Sequence, residues 1–168
     1  MTQKLAGHMV VLAGTNLVLN PSVEISHPVF DEAWPANWNW SAANATLATD
    51  QAHTGSKSLH IQVVDAIGEW RVDVFPVVSS QSYGLRCFVK GTGSNQAFLT
   101  IRFWSDAGGT QFVGENNVSL EGSFADWTEK SSIVVAPANA VSADIMFRCP
   151  SNTTADIYGD DFRVRLTS

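Results

Sequence analysis

Residues 97–104 read Ala-Phe-Leu-Thr-Ile-Arg-Phe-Trp. Leu99, Ile101 and Phe103 share one parity; Phe98, Thr100, Arg102 and Trp104 share the other. Successive side chains of a strand point to opposite faces, so this alternation predicts a half-buried β-strand. The same pattern recurs on both sides. In 83–90, Leu85, Cys87 and Val89 read as inward, and Arg86 and Phe88 as outward. In 142–149, Ala143, Ile145, Phe147 and Cys149 read as inward, and Asp144, Met146 and Arg148 as outward. In 70–75, Val72 and Val74 read as inward, and Arg71, Asp73 and Phe75 as outward. The outward sets mix arginines with large apolar groups. A merely solvated face favours Lys, Glu, Thr and Ser, whereas this mixture suits a groove for a polar ring.

Extended over the chain, the punctuation predicts strands at 17–19, 45–49, 58–64, 70–77, 82–90, 97–104, 117–120, 128–135, 142–148 and 156–166. Clusters of Gly, Ser, Asn, Asp and Pro separate them, and no stretch sustains a helical apolar period. So many short strands in one domain predict an all-β protein: a two-sheet antiparallel β-sandwich or jelly roll. The longest irregular stretch, 27–40, holds two prolines and three tryptophans. Residues 1–9 read as a cloning remnant or disordered tail, leaving 10–168 as a single domain.

Composition narrows the function. The 168 residues are 45% hydrophobic and 15% charged, enough for one ordinary core. The net charge of -6 argues against a nucleic-acid partner. The longest apolar run, 9–14, is far short of a membrane span. Two cysteines make neither a disulfide scaffold nor a four-thiolate zinc site. Cys87 and Cys149 both fall on inward parity, so they read as structural, free or bonded. No Gly-x-Ser-x-Gly, His-Glu-x-x-His or Gly-x-x-x-x-Gly-Lys occurs. Asp73 and Glu115 could be forced into the role of a glycosidase pair, but any acid-rich chain offers such a pair.

Six landmarks carry a resemblance. They are Asn16-Leu-Val-Leu-Asn-Pro-Ser-Val-Glu24, Pro35-Ala-Asn-Trp38, Asp50-Gln-Ala-His-Thr-Gly-Ser-Lys-Ser-Leu59, Tyr83-Gly-Leu-Arg-Cys-Phe-Val-Lys-Gly91, Trp127 with residues 133–137, and Ile157-Tyr-Gly-Asp-Asp-Phe162. In this order and spacing they resemble carbohydrate-binding modules of families four, nine, sixteen and twenty-two. Val23 and Gly159 depart from the pattern, standing where those modules carry Phe and a β-branched residue.

The resemblance implies a structural calcium ion joining the chain ends to a loop. Glu24 and Asp160 would supply carboxylates, and Ser22, Thr54 and Lys57 further oxygens, with Asp161 as the alternate. Calcium takes six to eight hard oxygens, which such a set suits. The resemblance also implies sugar-stacking rings at Trp70 and Phe112, and core positions for Trp38 and Trp127. Trp104 joins the platform from its outward parity, since a π-face attracts the polarised C–H groups of a pyranose. Polar partners are Arg71, Asp73, Arg86, Arg102, Asp144 and Arg148 on outward positions, with Gln111, Glu115 and Asn117 beside them. Met146 shares the outward parity.

Together these readings predict a non-catalytic module that binds a β-glucan or xylan chain in a concave groove. It would be a monomer, secreted, and covalently linked to a glycoside hydrolase. Arginine forks also suit uronates or sulfate esters, so an acidic algal or plant glycan is the alternative. A polysaccharide lyase and an adhesion sandwich complete the set.

Overall fold

The computed structural model describes residues 14–26, 35–40, 44–94 and 96–167. The expectation for residues 1–9 falls outside that set, as does Trp34 in the long irregular stretch. Among the described residues there is no helix, and every strand pairing is antiparallel. The strands are β1 (Trp38–Trp40), β2 (Ala45–Ala48), β3 (Ser58–Val72), β4 (Phe75–Pro76), β5 (Ser82–Gly93), β6 (Phe98–Trp104), β7 (Phe112–Ser119), β8 (Gly122–Val135) and β9 (Ser142–Leu166).

They form a β-sandwich in which β3 and β9 run through both layers. The first half of β3 and the second half of β9 lie with β2, β5 and β8. The second half of β3 and the first half of β9 lie with β1, β6 and β7. Between the halves the β3–β9 register slips at 63–66 and again at 66–68, and Asp65 and Asn152 take positive φ. Bulges of this kind bend a strand and let it change sheets. Gly68 fits the bend because a Cβ there would collide with Ile61 of the same strand.

The facing sides of the layers make the core. Leu85, Cys87 and Val89 of β5, Leu99, Ile101 and Phe103 of β6, and Ala143, Ile145, Phe147 and Cys149 of β9 are all buried, as their parity predicts. Phe162 packs 4.8 Å from Trp38 and 5.8 Å from Phe147. A Cβ at position 159 would meet both phenylalanine rings, at 2.9 Å and 3.1 Å, so Gly159 makes room for them. Both cysteines are free thiols. Burial pushes Cys149 up to about 12 and Cys87 higher still.

Several expected elements differ. Residues 17–19 form no strand; Leu17 donates one backbone hydrogen bond, to Val164. The break at 73–74 ends the expected 70–77 strand, so Val72 closes β3 and Phe75 starts β4 opposite Ala143. That break resets the parity and turns Phe75 inward rather than outward. The strands expected at 142–148 and 156–166 are one continuous strand. Trp127 is half-buried on β8, edge-on to His53 at 5.9 Å, rather than in the core.

Candidate functional site

The outer face of the layer formed by β1, β3, β9, β6 and β7 collects the polar outward residues in rows. Register places Glu115, Arg102 and Asp144 side by side on three strands. The next row runs Asn117, Thr100, Met146, Arg71 and Asn39 across five strands.

Asp144 organises this face. Its side chain is 0% exposed. It accepts from Arg102 Nε at 2.9 Å and Nη2 at 3.0 Å, from Arg71 Nε at 2.8 Å and Nη2 at 2.6 Å, and from Trp104 Nε1 at 3.2 Å. Two guanidinium forks and an indole N–H therefore surround one carboxylate. Such a group is tolerated in a dry site only when its lone pairs are filled. The guanidinium carbons of Arg102 and Arg71 sit 5.0 Å and 5.6 Å from the Trp104 ring centre. These contacts fix the indole from one side.

The turn after β6 fixes it from another. Asp106 Oδ1 accepts from Thr110 N at 2.9 Å and Gln111 N at 2.7 Å, and Gly109 takes a positive φ. The turn delivers Phe112, whose ring stands edge-on to Trp104 with centres 5.7 Å apart. Phe112 is 55% exposed, whereas Trp104 is 7% exposed. Beyond Arg102, Arg148 Nη2 donates to Glu115 Oε1 at 3.2 Å, Asn117 Nδ2 reaches the same oxygen at 3.4 Å, and the Thr100 hydroxyl donates to Asn117 Oδ1. At the far edge, Asn39 Nδ2 donates to Asp73 Oδ1 at 3.0 Å. The face thus offers an exposed ring, forked donors, amides and carboxylates held by one another.

The expected calcium ligands gather around residues 53–57. Glu24 Oε1 accepts from Ser56 N and Lys57 N, both at 2.8 Å, and Oε2 from the Ser56 hydroxyl at 2.9 Å. Burial pushes Glu24 up, but these donors outweigh it and hold the carboxyl below its usual range. Gly55 has a positive φ, and a Cβ there would collide with the Glu24 carboxylate. Asp160 Oδ2 accepts from His53 N at 2.8 Å and Thr54 N at 3.0 Å, and Oδ1 from Asp161 N at 2.7 Å. Burial raises Asp160 to about 6 despite these donors. Asp161 is committed to His53 Nδ1 and the Thr54 hydroxyl. The 53–57 loop therefore ties Glu24 and Asp160, from opposite halves of the chain, by donating backbone N–H groups to their carboxylates. Among the described residues, no three His, Cys, Asp or Glu side chains converge as a metal cluster.

No sequence-family profile and no curated protein matches this chain. Solved structures do. A family 16 carbohydrate-binding module-2 superposes with TM-score 0.59 at 18% identity, covering 89% of this chain and 99% of that one. The CBM22-1 xylan-binding domain from Paenibacillus barcinonensis Xyn10C gives 0.54 at 18% identity, over 82% and 90% of the two chains. TmCBM61 in complex with β-1,4-galactotriose gives 0.54 at 15% identity, over 91% and 99%. The fold is that of these carbohydrate-binding modules.

On this module fold, Asp73, Arg102, Trp104, Phe112, Glu115, Asn117, Met146 and Arg148 come together on one face, with Gln111 on the adjoining turn. Two expected site residues do not join them. Trp70 is 1% exposed, since it shares its parity with Val72 and lies opposite inward Phe147, so no sugar stacks on it. Arg86 is outward but on the other layer, pairing with Ser131 and Arg163. Met146 is buried beneath its neighbours and serves as floor rather than contact. Arg71 and Asp144, both outward by parity, prove central. Asn39 was not expected here, because β1 is only three residues long and so short a strand shows no alternation.

Proposed function

We propose that the protein is a non-catalytic carbohydrate-binding module for a neutral polysaccharide of the β-glucan or xylan type. The charge balance of the Asp144 face carries this reading. Arg71 and Arg102 share Asp144, and Arg148 pairs with Glu115, so each guanidinium group already has a carboxylate partner. A matched face presents fixed donors and acceptors to hydroxyl groups without demanding a charged ligand. Phe112 adds an exposed apolar ring at its edge. An acidic glycan would have to compete with Asp144 and Glu115 for these guanidinium groups. Of the pair considered for glycoside hydrolysis, Glu115 is held by Arg148 and Asp73 by Asn39. The names of two similar structures, a xylan-binding domain and a galactotriose complex, agree with an uncharged ligand.

In this reading the module is secreted, monomeric and linked to a glycoside hydrolase. It contacts neither nucleic acid nor membrane, and acts by raising the enzyme's effective concentration on its substrate. A structural calcium ion is part of the proposal. Asp160 is wholly buried with no basic partner among the described residues, and it and Glu24 each accept three donors. An ionised carboxylate has about four lone-pair sites, so each retains capacity for a cation. Oxygens of Ser22, Thr54 and Lys57 would complete the set, and the ion would neutralise Asp160. Calorimetric titration with xylo-, gluco- and galacto-oligosaccharides tests the sugar reading. It predicts saturable heat for one of them, abolished in Phe112→Ala with the fold intact.

A further inference from the structure

The opposite face of the sandwich carries a second cluster of arginines that the sugar reading does not use. On the outer side of the layer with β5, Arg86 lies between Ser131 of β8 and Arg163 of β9. One row along, Gly84 lies between Ile133 and Arg165. Since Gly84 has no side chain, the second row has a gap at its centre. That gap is the floor of a cleft of about 330 Å³ bordered by Ile133, Arg86, Arg163 and Arg165. The same three arginines also border a cleft of about 450 Å³ that reaches Asn16 and Asp161.

These arginines are poorly matched. Arg86 Nη1 donates to Glu129 Oε2 at 3.2 Å. Among the described residues, Arg163 and Arg165 have no hydrogen-bonded or ion-paired side-chain partner. The Nε atoms of Arg86 and Arg165 are buried with no acceptor. Asp161, the one carboxylate on the larger cleft, is taken by His53 Nδ1 at 2.6 Å and the Thr54 hydroxyl at 2.8 Å. Three guanidinium groups thus face one exposed carboxylate in a chain of net charge -6. Buried N–H donors without acceptors are costly and call for an acceptor from water or a ligand. Burial and the flanking Arg86 and Arg165 charges hold Arg163 below its usual range, outweighing the opposing pull of Glu129 and Asp161.

We propose that the Arg86–Arg163–Arg165 cleft is a binding site for an oxyanion, a carboxylate or sulfate group, on the face opposite the Asp144 cluster. Guanidinium forks match the paired oxygens of both groups. The gap over Gly84 leaves room for the group between the guanidinium forks. The site stands independently of the sugar reading of the other face.

The test is a titration of the full chain with sodium sulfate at constant ionic strength held by sodium chloride, following the Nε–H signals of the arginines by NMR. Saturable shifts of the Arg86 and Arg165 signals are expected. Arg165→Gln should weaken binding about tenfold. So should Gly84→Val, which fills the floor while keeping every charge. At position 84 a Cβ meets only Thr167, at 3.5 Å, so the backbone has room for a side chain, and a melting curve matching the wild type checks that the variant is folded. Linear shifts identical in chloride, or equal affinity in the wild type and both variants, would overturn the proposal. A glucuronate-bearing xylo-oligosaccharide then separates the sources. Binding here tighter than sulfate supports a glycan-borne anion, and binding no tighter supports a free one.

Discussion

Replacing Asp144 by Asn keeps the shape of the side chain and removes the charge that Arg71 and Arg102 share. Asn can accept on only one atom, so at least one fork loses its acceptor and faces an amide N–H instead. Breaking a fully buried pair by removing one partner costs about 3–5 kcal/mol. Here the carboxylate is buried but the Arg71 side chain is 36% exposed and can turn to water, which favours the lower end, about 3 kcal/mol. For a domain of this size that corresponds to a fall in Tm of about 6–12 °C. Glu115→Gln is the control, because the Glu115–Arg148 pair is open to solvent and should be worth less than about 1 kcal/mol. Scanning calorimetry of both variants against the wild type gives the answer. An Asp144→Asn protein melting within about 1 °C of the wild type would refute the claim that this carboxylate organises the face.

Phe112→Ala should leave the melting point nearly unchanged, because the ring is mostly exposed, while abolishing the saturable heat of sugar binding in calorimetry. Trp70→Ala should do the reverse in kind, costing about 3–5 kcal/mol in urea unfolding because it opens a core cavity. Cys87 and Cys149 should react with a thiol reagent only after denaturation, since burial keeps both protonated; two fast thiols in the native protein would contradict their packing. Excess chelator should lower Tm by several degrees and calcium restore it; unchanged melting with no metal found by elemental analysis would remove the ion from the account.

How far the sequence could be read follows from what alternation encodes. Parity assigns a residue to one side of its own strand, and it did so correctly for Leu99, Ile101, Phe103, Arg102 and Arg148. Parity does not say which layer a strand joins. Arg86 and Arg102 are both outward, yet they lie on opposite faces of the molecule. The layer change of β3 hides in 64–68, Val-Asp-Ala-Ile-Gly, which locally reads as a turn before a new strand. That misreading made Trp70 look like a strand-opening rim residue, although its parity with Val72 points to the core. Nor does parity reveal that an outward Asp144 is sealed by two arginines from neighbouring strands, since cross-strand contacts depend on register. The ordered motifs around Glu24, 50–59 and 157–162 did anticipate that one loop meets both chain ends.

The central claim, that the Asp144 face binds a neutral glycan, is tested most directly by affinity electrophoresis through gels containing soluble β-glucan, xylan or galactan. Wild type and Phe112→Ala are run at low and high salt. The account predicts retardation by at least one of these polysaccharides, undiminished at high ionic strength because no charge pair is screened, and lost in the variant. Wild-type mobility unchanged in every gel, or retardation that disappears with salt, would contradict it.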